Sequence, residues 1–407
     1  MAPKLFQVQL DKPNATYLPG ETITGCVIID LEESKNCRDF RIAVKGLAYV
    51  HWTESRSETD SNGDSRSTTD HYSATERYFD FQQPLIHRPP GEEELVLPAG
   101  RSEYRFTYQL PTNIPCSFEH DIGYIRYTVK GIVDIPWRFD WWTKTAFTVV
   151  TPFDLNDIAH QCVPIDDETV KNYSCCCFDK GSINARVKIP GTGYAPGQTI
   201  DVDVSFDVKS SSISVPKISA ALEEVITFYA QGSTKDVRIA LQNAKYDGPF
   251  EKSKRVLLKL YVPPVPPSNL LPCDIIQLEY RVVANVHVNG VHRKLNRTYP
   301  ILIGTTPLHS SMWPRRPDGN ESQPSAPIDP SSNKVPPYPS NLPGMIQPDE
   351  SSIQPIGWTM PLPSYEECLQ QGNNIKDADD SNDGFGADKH FSPRYPVFNF
   401  DVRSKSA

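Results

Sequence analysis

Apolar and polar residues alternate with period two through most of the chain before Thr306. In residues 40–52, Phe40, Ile42, Val44, Ala48, Val50 and Trp52 share one face, while Arg41, Lys45 and His51 take the other. In DVDVSFDV, Val202, Val204, Phe206 and Val208 face one way, with the acids and Ser205 opposite. In IQLEYRVVANVHV the set is Ile276, Leu278, Tyr280, Val282, Ala284, Val286 and Val288. This pattern predicts half-buried strands in sheets with one wet side. Such sheets bury their apolar faces against each other, so the expected class is all-β, built as immunoglobulin-like β-sandwiches. Only DLNDIAHQC (154–162) and a stretch near 364–371 read as helical.

The chain also repeats itself. Tyr17-Leu-Pro-Gly-Glu-Thr-Ile returns as Tyr194-Ala-Pro-Gly-Gln-Thr-Ile, and YIRYTVKGIVDI (124–135) resembles QLEYRVVANVHV (277–288). Each of the latter pair follows a Pro-Cys dipeptide, at Pro115-Cys116 and Pro272-Cys273. In each opening, Pro sets one dihedral and Gly permits φ > 0, so both read as turns that announce a sandwich and not as binding sites. The polar stretch 53–76 reads as a loop that buries no core. After Thr306, Pro, Ser, Asn, Asp and Gly replace the alternation, and such a segment buries too little to offset its chain entropy. The expected organisation is a first sandwich at 1–155, a linker at 156–180, a second sandwich at 181–305, and a disordered Pro-rich tail at 306–407.

Charge narrows the function classes. There are 41 basic and 50 acidic residues, a formal −9, with no long basic block, which argues against nucleic acid as a partner. The 9 cysteines are irregularly spaced, the first residues lack the apolar centre of a signal peptide, and no apolar run reaches membrane-spanning length. These features read as a reduced, cytosolic chain. No nucleophile elbow, zinc-protease helix or phosphate-cradling loop occurs. Asp201, Asp203 and Asp207 lie on the wet face of one strand, so no enzyme, cofactor or metal is expected. Cys175-Cys176-Cys177, with His160 and Cys162 upstream, leaves three readings open: a structural thiol cluster, S-acylation, or a metal site with poor spacing.

Several separated landmarks resemble one family. They are the two Y-x-P-G-x-x-I turns, VHWTES (50–55), ERYFDF (76–81), IPWRFDWWTKTAFTVV (135–150), FDLN (153–156) and CCCF (175–178). Together with the Pro/Tyr-bearing tail they resemble the alpha-arrestin (arrestin domain-containing) family. That resemblance implies two arrestin-like sandwiches acting as a trafficking adaptor. The sandwiches would hold receptor or transporter cargo, and tail P-P-x-Y motifs would recruit a HECT-type ubiquitin ligase through its WW domains. Cargo ubiquitination, endocytosis and endosomal sorting would follow. The expected location is cytoplasmic, with recruitment to plasma membrane and endosomes and peripheral membrane association. An alternative is an arrestin-fold scaffold, retromer-like or receptor-desensitising, acting without a ligase.

The tail departs from the family motif: no P-P-x-Y occurs. Its three tyrosines each have proline two positions earlier, in VPPY (335–338), LPSY (362–365) and SPRY (392–395). A WW domain binds a polyproline-II segment in an aromatic groove, and proline arrives already extended. The expected contacts are Leu362, Pro363 and Tyr365, then Val335, Pro336 and Tyr338, then Pro393 and Tyr395. PVFNFDVRS (396–404) has strand character and resembles the arrestin tail strand that masks the first sandwich. Docking through Phe398, Phe400 and Arg403 and a free end both remain open. Trp137 is expected to pack in the first sandwich; adjacent Trp141 and Trp142 point to opposite faces, so exposure of one as an anchor and packing of both in the core stay open, with core packing the favoured reading. KSKRVLLKL (252–260) reads as a strand with a charged outer face, and Lys12 alone does not make a phosphate sensor.

Overall fold

The computed structural model describes residues 2–59, 65–88, 91, 94–175, 178–209, 213–250, 252–289, 294–309, 363–368, 374–377, 380, 384–385 and 390–400. The first eleven strands build one sandwich. They are β1 (Leu5–Leu10), β2 (Thr16–Tyr17), β3 (Thr22–Leu31), β4 (Lys35–Cys37), β5 (Asp39–Thr59) and β6 (Ser65–Pro84). They continue as β7 (Leu95–Leu97), β8 (Gly100–Gln109), β9 (Phe118–Glu119), β10 (Gly123–Asp134) and β11 (Trp141–Val149). A sheet ordered β1-β3-β8 faces one ordered β2-β11-β10-β5-β6.

The second sandwich comprises β12 (Ile165–Cys175), β13 (Phe178–Ile189), β14 (Gly193–Tyr194), β15 (Thr199–Lys209), β16 (Lys217–Ala230) and β17 (Ser233–Asp247). It is completed by β18 (Ser253–Tyr261), β19 (Ile276–His287) and β20 (Leu295–Ile303), in sheets ordered β12-β13-β15-β18 and β14-β20-β19-β16-β17. The period-two faces behave as the alternation requires. Phe40, Ile42, Val44, Ala48, Val50, Trp52, Val202, Val204, Phe206, Val208, Ile276, Leu278 and Tyr280 are all buried.

The repeat is visible atom by atom. In the opening turns, Glu21 N–H donates to the Leu18 carbonyl and Gln198 N–H to the Ala195 carbonyl, both at 3.1 Å. Gly20 and Gly197 hold the left-handed positions at φ 83 and 96. Tyr17 and Tyr194 then run parallel to the closing strand of their own sandwich, opposite Val149 and Ile303. Each sandwich also ties a buried tyrosine hydroxyl to a proline carbonyl, Tyr127 to Pro115 at 2.7 Å and Tyr280 to Pro266 at 2.8 Å.

Three sequence expectations change. The stretch 53–76 is not a loop: β5 and β6 pair from Arg41–Pro84 out to Thr59–Ser65. Cross-strand stacking of Trp52 on Tyr72 and His51 on His71 supports that hairpin without a core beneath its outer part. In 154–162 only Ala159–Gln161 is helical, as a single 3-10 turn. Residues 364–367 form a strand, because a second tail strand pairs with them.

Candidate functional site

Three tail strands sit on the sandwiches: β21 (Ser364–Glu367), β22 (Gly384–Phe385) and β23 (Arg394–Val397). The part of 306–407 that is described beyond residue 363 is therefore packed, where the sequence predicted disorder. Its most polar contact lies on the outer face of the first sandwich. Strand β10 places Lys130 directly opposite Lys144 of β11, and Ile132 opposite Trp142. Two like charges facing each other across strands are unfavourable without an anion between them. The tail supplies it: Lys130 Nζ donates to Asp380 at 2.5 Å, and Lys144 Nζ donates to Asp377 at 2.8 Å and also to Asp380.

The acids are pre-arranged. Asp377 N–H donates to the Asp380 carboxylate at 2.9 Å, and Asp380 N–H to the Asp377 carbonyl at 3.0 Å, closing a tight turn. Lys144 and Asp380 side chains are 2% and 3% exposed. Burial pushes the Asp380 carboxyl up, but hydrogen bonds from Lys130 and Lys144 outweigh it and hold the group below 3.8. Upstream, Arg126 grips Glu119 with two bonds of 2.7 Å and donates a third, at 3.1 Å, to the Asn374 carbonyl.

Downstream, β22 adds in parallel to the edge of β11, with Gly384 opposite Trp142 and Phe385 opposite Thr143. Glycine is required there, because a Cβ at Gly384 would meet the Trp142 ring at 2.1 Å. Phe385 makes an edge contact with Phe6 at 5.9 Å. Trp141 and Trp142 do point to opposite faces: Trp141 joins the main core and Trp142 packs with Ile132 outside it. The outward tryptophan is nonetheless buried, since the tail covers it and Lys130 lies 4.6 Å over its ring.

A second contact wedges between the sandwiches. Strands β21 and β23 pair antiparallel, with Tyr365 opposite Pro396 and Glu366 opposite Tyr395. Tyr395 is 1% exposed, and its hydroxyl donates to the Ser117 carbonyl at 2.8 Å. Phe118, Glu119, Glu224, Pro266, Cys368 and Pro393 surround it, so both sandwiches contribute. Phe398 is buried, and its N–H donates to the Pro196 carbonyl at 3.0 Å. A Cβ at Gly197 would lie 2.0 Å from the Phe398 carbonyl oxygen. The second opening turn is thus a docking site as well as architecture, which corrects the sequence reading.

Other predicted residues fall as follows. Tyr365 is half-buried in β21, Pro363 half-buried beside it, and Pro393 buried. Phe400 is half-buried with its ring 6.1 Å from Phe398. Val335, Pro336, Tyr338, Leu362, Arg403, Cys176 and Cys177 lie outside the described residues, as does the Cys175 side chain. Trp137 does not pack in the first sandwich; it is fully exposed, because the turn that carries it points away from the core. Asp201 and Asp203 form exposed pairs with Lys259 and Arg255. In β18, Val256, Leu258 and Leu260 are buried and Lys254, Arg255 and Lys259 exposed. Among the described residues no cluster of metal-ligating side chains occurs, and no helix is long and apolar enough to cross a membrane.

The sequence reading missed Lys130, Lys144, Asp377 and Asp380. Alternation puts both lysines on an outer face, and the run DADDSND followed by Gly-Phe is a dense acidic signal in the tail. Their pairing depends on strand register, which no local pattern reveals.

Comparison with known proteins agrees with this architecture. The family "Arrestin (or S-antigen), N-terminal domain" matches residues 6–156, and "Arrestin (or S-antigen), C-terminal domain" matches 179–308. Arrestin domain-containing protein 17 of Caenorhabditis elegans is 27% identical over 435 residues, covering 97% of this chain and 98% of the relative. Mouse arrestin domain-containing protein 4 is 30% identical over 302 residues, covering 73% and 70%. Human thioredoxin-interacting protein is 28% identical over 311 residues, 74% of each. These relatives support an adaptor or scaffold role in general. Two sandwiches in tandem, the repeated opening turns and these matches together place the chain in the arrestin family, in its alpha-arrestin (arrestin domain-containing) branch.

Proposed function

We propose that the protein is a cytosolic trafficking adaptor that holds an extended acidic segment of membrane cargo on the first sandwich. The groove is the β11 edge with Lys130, Lys144 and Trp142. One observation carries this reading: the chain's own tail lies there as an added strand with two carboxylates on the two lysines. Strand addition satisfies backbone groups of any sequence, while the flanking side chains select for acids followed by a small and an aromatic residue. The same tail recruits a WW-domain HECT ligase through its Pro-before-Tyr motifs, leading to cargo ubiquitination, endocytosis and sorting at endosomes.

Tail seating and ligase binding compete at Tyr365. A WW domain needs that tyrosine in a polyproline-II segment, whereas the docked tail holds it in a strand opposite Pro396. A free 358–372 peptide is expected to bind WW domains at micromolar concentration, and the full chain at least about tenfold more weakly, since unpairing costs part of the binding energy. Calorimetric titration of both checks this. No binding by the peptide, or by the full chain, removes the ligase from the account. The scaffold reading without a ligase then stands, favoured by the burial of Tyr395.

A further inference from the structure

The link between β10 and β11 contains a local contradiction. Arg138 N–H reaches back to the Ile135 carbonyl at 3.4 Å, closing a turn with Pro136 and Trp137 at its centre. Pro136 suits the first central position. The second requires φ > 0 and ordinarily takes glycine. Trp137 occupies it at φ 60, an outlier for a bulky side chain. Trp137 is 100% exposed and Phe139 73% exposed. The sequence thus accepts backbone strain and an aromatic in water at one residue, with no packing in return. Strain of this kind persists where function keeps it.

The setting selects the partner. Trp137-Arg138-Phe139 forms the hairpin tip, with Arg138 exposed between the two aromatic residues. Behind it Arg38 pairs with Asp134 at 2.6 Å, so that acid is neutralised locally. A tryptophan that anchors a protein sits centrally in a patch whose rim excludes water. Trp137, fully exposed, has no such rim around it. Tryptophan with a neighbouring guanidinium instead suits the boundary layer of a bilayer, where the ring lies at headgroup depth and the cation meets phosphate. Trp137, Arg138 and Phe139 themselves line one side of a recess that Trp141, Gly384 and Phe385 close on the other, so the tip is continuous with the groove that holds the tail.

We propose that the Trp137-Arg138-Phe139 tip inserts into an anionic membrane surface, bringing the adjacent groove to the bilayer from which cargo segments emerge. The last clause rests on the function proposed above; the lipid contact does not, so its test contains neither cargo nor ligase. The full chain is floated with vesicles of phosphatidylcholine and phosphatidylserine, beside the variants Trp137→Gly and Phe139→Ala. Trp137→Gly relieves the turn, so its Tm is expected to equal or exceed that of the parent. Its vesicle affinity is expected to fall about tenfold, with a similar fall for Phe139→Ala. A residue kept for structure would lose stability instead. Vesicle binding unchanged in both variants, or absent in the parent, overturns the proposal and leaves the tip to a protein surface.

Discussion

Asp380→Lys is expected to unseat the acidic segment from the first sandwich while both sandwiches stay folded. In the parent, Asp380 bridges Lys130 and Lys144, which face each other across β10 and β11. The substitution places a third ammonium group between them. Removing one partner of a buried pair already costs about 3–5 kcal/mol. The tail has an escape that a core residue lacks: it can leave, and every charge then returns to water. The docking equilibrium should therefore shift by more than about 100-fold. Hydrogen exchange reads it directly, as lost protection at Gly384 and Phe385, while Trp142 fluorescence moves to the red as its cover departs. Asp201→Ala, which breaks an exposed pair with Lys259, should change stability by less than about 1 kcal/mol.

Acid should do the same to the parent chain. The Asp380 carboxyl is held below 3.8 when docked. A depressed folded-state value means that docking is fully supported above the free carboxyl's range and is lost as pH falls through the docked value. Trp142 exposure should therefore rise on titration below about pH 4, and remain flat above about pH 5.

Tyr395→Ala is the second large effect, at the other end of the tail. The phenol fills a space between Phe118, Pro266 and Pro393 and bonds to the Ser117 carbonyl. Truncating a buried aromatic costs about 3–5 kcal/mol. Tyr395→Phe forfeits the hydrogen bond alone, about 1 kcal/mol. Because β21 is held chiefly by pairing with β23, the alanine variant should free both strands. Cys368, whose N–H donates to the Pro393 carbonyl at 2.9 Å, is the reporter. Its thiol should alkylate more than about tenfold faster in Tyr395→Ala, with Tyr395→Phe between it and the parent. Equal rates in all three would mean that the tyrosine does not hold the hairpin down.

The fold was legible wherever one face of a strand is wet. Val202 to Val208 and Phe40 to Trp52 declare their faces, and the Y-x-P-G turns declare where each sandwich opens. Four features were not legible. Trp137 breaks the rule that a left-handed turn position takes glycine, so no local pattern announces its exposure. The hairpin beyond Trp52 extends by backbone pairing without a buried face, so its polarity reads as loop. The tail strands owe their order to partners far away in sequence. Ser364-Tyr-Glu-Glu has no strand signal of its own, and only pairing with Arg394–Val397 makes it one. The candidate groove was hidden for the same reason: Lys130 and Lys144 become a pair only when β10 and β11 take their register. The tail tyrosines stood out by their prolines, yet Tyr395 spends that tyrosine on the sandwich junction.

On the proposed function, the β11 edge is a peptide groove that the tail fills in cis. A fluorescent peptide of residues 374–386 tests it most directly, titrated against the full chain and against Gly384→Ala. In that variant the added Cβ collides with Trp142, and nothing in the groove itself is altered. The tethered tail competes at high effective concentration in the parent and not in the variant. The account predicts binding to Gly384→Ala at least about tenfold tighter than to the parent, abolished when Lys130 and Lys144 are both changed to alanine. Equal binding to parent and variant, or binding that survives loss of both lysines, would contradict it.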